Sequence, residues 1–479
     1  MLDQIRADKM RKLENFKNQG INPFPAGPFE KEGLDDVLKK DVGQKVKVAG
    51  RIMLFRNMGN LVFMHIQDES GRAQIVLNKK EFDGEYKLWA KNLDVGDFVG
   101  VDGERFDTQK GEKSVLARHL TLLAKSILPL PDKHKALQDE DESLRKRYLD
   151  ILFNEDVKDL IYKRDIFWNS IRSFMKEKGF VEVQTPVLET IPGGADAQPF
   201  VTHHNALDMD VYLRISMGEL WQKRLMIAGL EKTFEIGRQF RNEGMDTEHL
   251  QDYEQMEFYW AYADYQKGME LVEDLYKYVI EKTFGTLQFK IKGFDIDFSK
   301  PWEKYDYTET IKKETGIDIG NATIEEIEGR LQELGVEYDK KGFNITRAID
   351  NLWKHCRKKI AGPGFLVGVP LVVSPLAKKD KDNSSATQRF QPIIAGSELG
   401  NGYSELNDPI DQAERFEQQQ KLRDEGDDEA QFHDKDFVEA LEYGMPPTCG
   451  FGMSERVFSF LMDKSARECQ IFPLMKPKK

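Results

Sequence analysis

The chain has 479 residues, a net charge of −13 at pH 7, 40% hydrophobic, 32% charged and 11% aromatic residues, which excludes a disordered, collagenous or membrane-embedded protein and leaves room for two or three domains. No run approaches the roughly 18 apolar residues of a spanning helix. The first residues alternate in charge with no secretory core, and Cys356, Cys449 and Cys469 form no CxxC, poor material for disulfides or a zinc knuckle, so a reducing cytoplasm is expected. The acidic total hides an asymmetry: residues 1–125 carry 22 Lys and Arg against 19 Asp and Glu, the remainder 48 against 64. A bound polyanion is therefore expected to be held by local patches.

Ile5, Lys9, Leu13 and Phe16 recur at helical spacing before Gly20, predicting a short amphipathic helix, and INPFPAGPF reads as a linker, together residues 1–42. From 43 to 126 the runs KVKVAGRIM, LVFMHIQD, AQIVL, DFVGVDGERF and SVLARHLTLL predict five strands closing an all-β oligonucleotide-binding barrel. Residues 127–144 are a Pro- and charge-rich hinge. Residues 145–479 alternate helices, such as DVKDLIYKRDIFWNSIRSFMKEKG and YQKGMELVEDLYKYVIEKTFG, with strand-like VYLRIS, TFEIGRQFRNE and YEQMEFYWAYA, giving an α+β class. FLVGVPLVV is expected as a buried strand, and KKDKDNSSATQ and RDEGDDEAQFHDKD as exposed segments.

No P-loop is present. Gly450-Phe451-Gly452 lacks a third glycine, Glu455 standing there, and His203-His204 are expected to be structural. Three clusters carry chemistry. In RQFRNEGMDTEHLQDYEQMEFYWAYADY, a strand–loop–strand places Arg241 and Glu243 on one strand face, with Tyr253 able to meet a base plane; a salt-bridged surface hairpin is the bland alternative. SELGNGYSELND offers Glu398, Asn401, Tyr403 and Glu405 among glycines, suited to metal, ammonium or ribose contacts unless it is a charged turn. PPTCGFGMSERVFSFLMD runs from a glycine-rich strand into a helix with Arg456 at its start, where an arginine meets phosphate well.

In this order the clusters resemble the three signature motifs of class II aminoacyl-tRNA synthetases: GFVEVQTPVL with Pro186, FRNE, and GFGMSER. Segments RYLD, IPGGA, PFVTHHNALDMDVYLRIS, AYADY, SPLA, GNGYSELND and FPLMKP resemble the lysyl group most closely. The resemblance implies an antiparallel catalytic sheet flanked by helices behind an anticodon-binding barrel, a cytoplasmic homodimer, and L-lysine, ATP and tRNA(Lys) as partners with Mg²⁺. By resemblance, Glu257, Tyr259 and Glu405 hold the lysine ε-ammonium, Asn401 and Tyr403 its stem, Gly194 and Glu219 the α-amino group. Arg241 meets the carboxylate and α-phosphate, and Arg241 and Arg456 are the catalytic pair. Glu243 and Tyr253 read adenine, His249 and Arg456 approach the polyphosphate, and Glu398 holds metal. Arg56, Phe63, Gln74 and Glu112 match anticodon contacts, an aromatic being able to stack on an unpaired base, with an ordinary barrel residue the alternative for Phe63.

The chain departs from the group's pattern at four places. Gln391 follows Arg389-Phe390 where a carboxylate is usual, and Glu248 precedes His249 where a cation is usual. The third motif is one residue short before Arg456, and SMGE, ending at Glu219, is one residue long. A catalytically degenerate paralogue that binds tRNA or regulates is therefore the alternative reading.

Overall fold

Alternating apolar residues build the N-terminal strands: Val46, Val48 and Ile52, then Val62, Met64 and Ile66, then Ala73, Ile75 and Leu77, are all buried; in the second strand the residues between them stay partly exposed, whereas Ala49, Gln74 and Val76 in the other two are covered as well. The computed structural model describes residues 2–131, 139–195, 197–244, 246, 248–338, 343–424 and 431–478. Within them the chain divides into two compact units, residues 1–138 and 139–479.

In the first unit, strands Lys45–Asn57, Leu61–Gln67, Arg72–Asn78, Lys113–Ala124 and Phe98–Asp107 follow one another round a closed barrel, which removes exposed sheet edges. The helix Leu2–Asn18 buries Lys9, Leu13 and Phe16, and the Phe16 ring lies 5.2 Å from Trp89. Ile5, expected on that apolar face, is exposed instead, as are the other described residues of the first turn. The helix Tyr86–Asn92 between the third and fourth strands, bearing Trp89, was not anticipated by the pattern.

In the second unit the described residues form a nine-stranded sheet. Its order is Glu303–Asp306, Gly364–Val367, Arg389–Ile394, Asn401–Ser404, Thr448–Ser454, Asp252–Ala261, Lys232–Phe240 and Val181–Glu182, with Ser397–Glu398 paired to Arg389–Ile394. Pairing is antiparallel through the middle and parallel at the two ends. Period-two alternation sorts its faces. Phe234, Met256, Phe258, Phe390 and Phe451 point into a core with the helices Glu155–Glu177 and Tyr265–Phe284; Phe390 and Phe451 stack at 5.7 Å with planes 9° apart. Three helices, Tyr307–Thr315, Ile324–Glu333 and Ile345–Cys356, form their own core beside the sheet.

Three expectations need correction. FLVGVPLVV is not one strand: pairing stops at Val367, Gly368 takes a φ of 69° against the Asp306 carboxylate, and Leu371–Val373 is a short 3₁₀ turn. The strand carrying FRNE ends at Phe240, so residues 241–243 lie in the following turn and not on a strand face. In RDEGDDEAQFHDKD, residues 425–430 lie outside the described residues, but Asp434 is buried rather than exposed: it caps Phe437 N at 2.9 Å and pairs with Arg224 at 3.2 Å. The hinge reading of 127–144 falls partly on 132–138, also outside the described residues; Glu140–Arg145 is already helical. Among the described residues no helix is long and apolar enough to cross a membrane.

Candidate active site

The central strand Thr448–Ser454 is glycine-punctuated where its neighbours carry large side chains. Gly450 lies between Tyr259 and Tyr403, and Gly452 between Glu257 and Asn401, on adjacent strands. Two rungs without side chains between rungs with long ones open a cavity of about 410 Å³ on the face of the sheet opposite the aromatic core. Its acidic wall comes from three elements. Glu257 accepts from Met217 N at 3.0 Å, Gln255 Nε2 at 2.6 Å and Tyr259 OH at 3.0 Å. Glu219, the first residue of helix Glu219–Ile227, accepts from Tyr403 OH. Glu405 follows the strand Asn401–Ser404 and is fully buried.

Burial, and then the charge of Glu219, push the Glu257 carboxyl above its usual range. Burial likewise raises Glu405, though Lys223 opposes it. Lys223 is the residue that sequence reading missed. Only 1% exposed, its ammonium sits 2.6 Å from Glu405 and 3.0 Å from Glu219 and 5.5 Å from the centre of the Tyr403 ring. Burial works against its charge, but Glu219 and Glu405 more than offset this. The i,i+4 spacing of Glu219 and Lys223 was the available signal.

The extra residue in SMGE is absorbed by Gly218, whose φ of 66° starts the helix and whose hydrogen side faces Thr185 too closely for a Cβ. Glu219 thereby still reaches the cavity, beside Gly194, which has a φ of 86° and where a Cβ would meet Ser216 Oγ at 2.6 Å. Arg241 lines the cavity from the turn after its strand; its Nε is 3.4 Å from Ile215 O and its guanidinium 5.9 Å from the Tyr253 ring. His249, Tyr253, Glu398, Asn401 and Arg456 line the same cavity. Asn401 accepts from Arg389 Nε at 2.8 Å, a partner that the sequence reading also missed. Glu243 does not join the lining: it is exposed and accepts from Gln198 N at 3.2 Å, because the strand ends before it.

One oxygen of Glu398 accepts from Trp353 Nε1, and Gln391 belongs to the same cavity lining. Among the described residues no group of three or more His, Cys, Asp or Glu could hold a metal by itself. A Mg²⁺ ion commonly takes one or two carboxylates and completes its shell with phosphate oxygens and water; the free oxygen of Glu398 fits that sparse role.

On the barrel, Arg56 and Phe63 are cross-strand partners, as are His65 and Gln74. Arg56 is exposed and Phe63 half-buried, while its neighbours Val62 and Met64 point into the core. Glu112 lies 3.3 Å from His65. Gln74 is covered, 7% exposed, with its amide donating to Ser114 Oγ at 2.9 Å, because the parallel pairing with Lys113–Ala124 brings a hydroxyl beside it.

Comparison with known proteins gives this arrangement its family. Residues 139–476 match the family model of class II tRNA synthetases (D, K and N). The chain belongs to the class II tRNA synthetases. Residues 46–123 of this synthetase match an OB-fold nucleic-acid-binding domain. It is 42% identical to a lysine–tRNA ligase of Porphyromonas gingivalis strain W83 over all of this chain and 86% of the relative. It is 39% identical to that of Thermotoga maritima and 43% to that of a Thermoanaerobacter species, strain X514, each over all of this chain and 97% of the relative. The α+β fold of a class II synthetase, with an antiparallel sheet preceded in the chain by a barrel, is the one expected from the sequence.

Proposed function

We propose that this synthetase activates L-lysine with ATP, forming lysyl-adenylate and pyrophosphate, and transfers the lysyl group to the 3′ end of tRNA(Lys). The observation that carries the reading is the acidic cluster: three buried carboxylates, Glu219, Glu257 and Glu405, two of them paired with the buried Lys223. A pocket whose buried wall carries that excess of carboxylates favours a substrate with an ammonium side chain and repels an acidic one. In this reading Glu257, Tyr259 and Glu405 hold the ε-ammonium, Tyr403 and Asn401 flank the stem, and Gly194 and Glu219 receive the α-amino group.

The lysine carboxylate is already ionised and attacks the α-phosphorus in line, so the chain needs to position and neutralise rather than to supply a base. Arg241 contacts the carboxylate and α-phosphate, and Arg456, with His249, the polyphosphate; Tyr253, and Glu243 from the rim, meet adenine. Mg²⁺, held through Glu398, supplies neutralisation of phosphate charge when bound. The barrel, residues 43–126, reads the anticodon through Arg56, Phe63 and Glu112, and through Gln74 once its bond to Ser114 is exchanged. The division into 1–42, 43–126, 127–144 and 145–479, a homodimer and a cytoplasmic location belong to the same proposal.

Lysine-dependent ATP–pyrophosphate exchange, run against all standard amino acids, tests it. Lysine alone is expected to support exchange, and Glu257→Gln or Glu405→Gln to raise the KM for lysine on the order of a hundredfold, the range for losing one charge of a buried pair. Exchange with another amino acid, or with none, sinks the reading; exchange with none favours the non-catalysing tRNA binder.

The raised carboxyls make a second prediction. Burial raises the Glu257 and Glu405 carboxyls in the empty site, and an arriving ammonium stabilises their charged forms. Lysine binding is therefore expected to release protons at neutral pH, to release fewer in alkaline buffer, and to weaken as pH falls. Calorimetry in buffers of different ionisation enthalpy reads this directly; proton uptake at neutral pH would contradict it.

A further inference from the structure

A second set of charges in the cavity surrounds Glu248, an acid where the lysyl group usually has a cation. Its carboxylate bonds Arg456 Nη2 and accepts from Lys292 Nζ at 3.0 Å. Arg456 is otherwise only partly engaged: Nη1 donates to Glu398 O at 3.1 Å, and its buried Nε has no partner. Lys292 reaches Ser397 Oγ at 3.2 Å and lies 4.9 Å from the centre of the Phe460 ring. It stands in the two-residue turn joining Gln288–Ile291 to Phe294–Asp297, with φ of 49° at Lys292 and 86° at Gly293. That turn favours Asn-Gly, and a lysine held there in the left-handed region is sterically disfavoured. What the lysine gains in exchange is its contact with Glu248.

Burial raises the Glu248 carboxyl, but Arg456 and Lys292 outweigh burial and hold it below its usual range. A charged carboxylate thus bridges two cations at the edge of an open cavity, with one-third of its side chain still in water. This is the charge pattern of a polyphosphate oxygen site filled by a side chain. The more highly charged polyphosphate can replace a single carboxylate on both cations, and the displaced group returns to solvent at little desolvation cost.

We propose that Glu248 is an internal placeholder for polyphosphate: it holds Arg456 and Lys292 together in the nucleotide-free site, is displaced by the triphosphate of ATP, and so makes Lys292 a further nucleotide-binding cation. Naming ATP rests on the function proposed above; the affinity for a polyanion stands on the charges alone.

Metal-free inorganic tripolyphosphate, titrated calorimetrically into the full chain, tests the proposal with Glu248→Gln, Lys292→Ala and the double variant. Removing the internal competitor while keeping its shape is expected to tighten binding about tenfold in Glu248→Gln, since the competent fraction rises. Lys292→Ala is expected to weaken binding several-fold in either background, and thermal melting checks that each variant folds. Unchanged or weaker binding by Glu248→Gln overturns the placeholder, and unchanged binding by Lys292→Ala overturns the added cation. If lysine-dependent exchange is absent while the tripolyphosphate order of variants holds, the proposed activity fails and the placeholder stands.

Discussion

Replacing Lys223 by methionine is expected to lower the unfolding free energy by about 3 kcal/mol or more, the range for removing one partner of a buried ion pair. Among the described residues, the substitution removes the only cation paired with Glu405, whose side chain is 1% exposed, and one of two side-chain contacts of the Glu219 carboxylate, the other being Tyr403 OH. Methionine keeps the unbranched stem, so little of the loss comes from packing. Glu405 must then stay protonated or remain charged without a partner, and either state removes the attraction that now joins strand to helix. In urea denaturation, saturating lysine is expected to restore more stability to Lys223→Met than to the unaltered chain, because the substrate ammonium becomes the missing counter-charge. A variant as stable as the parent, or one on which lysine has no greater effect, would show that the internal ion pair contributes nothing to the pocket.

A single methyl group at Gly450 is expected to abolish lysine use almost completely, raising the KM on the order of a thousandfold, since it acts on two of the three groups proposed to hold the ammonium. A Cβ there would lie 2.1 Å from Glu405 Oε1 and 2.7 Å from Tyr259 Cε1. Gly450 is paired on both sides, to Tyr259 and to Tyr403, so the strand cannot swing away. The acid and the phenol must move instead. Tripolyphosphate binding is expected to survive in Gly450→Ala, which separates a blocked amino-acid pocket from a collapsed fold; if lysine-dependent exchange also survives, the floor of the pocket is elsewhere.

Much of this site was legible in the chain because strand geometry is local. Glu257 and Tyr259 are two residues apart and therefore share a face, and Gly450 and Gly452 at the same spacing predict the gap beside them. The barrel was legible for the same reason, through its five alternating runs. Residues whose meaning depends on distant partners were not. Lys223 reads as one more surface cation on a charged helix until the segment carrying Glu405 is laid against it. Lys292 meets Glu248 across 44 residues. Arg241 and Glu243 were both put off the strand by an end at Phe240 that a polar sequence does not mark sharply, and Gln74 was engaged by a hydroxyl contributed from a later strand.

The three cysteines, noted at the outset for what they exclude, give the folded chain a set of built-in reporters. Cys449 and Cys469 lie in the core behind the catalytic sheet and Cys356 in the core of the three neighbouring helices. Burial pushes Cys356 up to about 11 and Cys469 to about 12, and raises Cys449 well above its ordinary value. Reaction with a thiol reagent requires exposed thiolate, so each labelling rate measures how often that part of the molecule opens. The sequence of modification, followed by mass spectrometry, would rank the breathing of the helical lobe against that of the sheet without any probe having to be introduced.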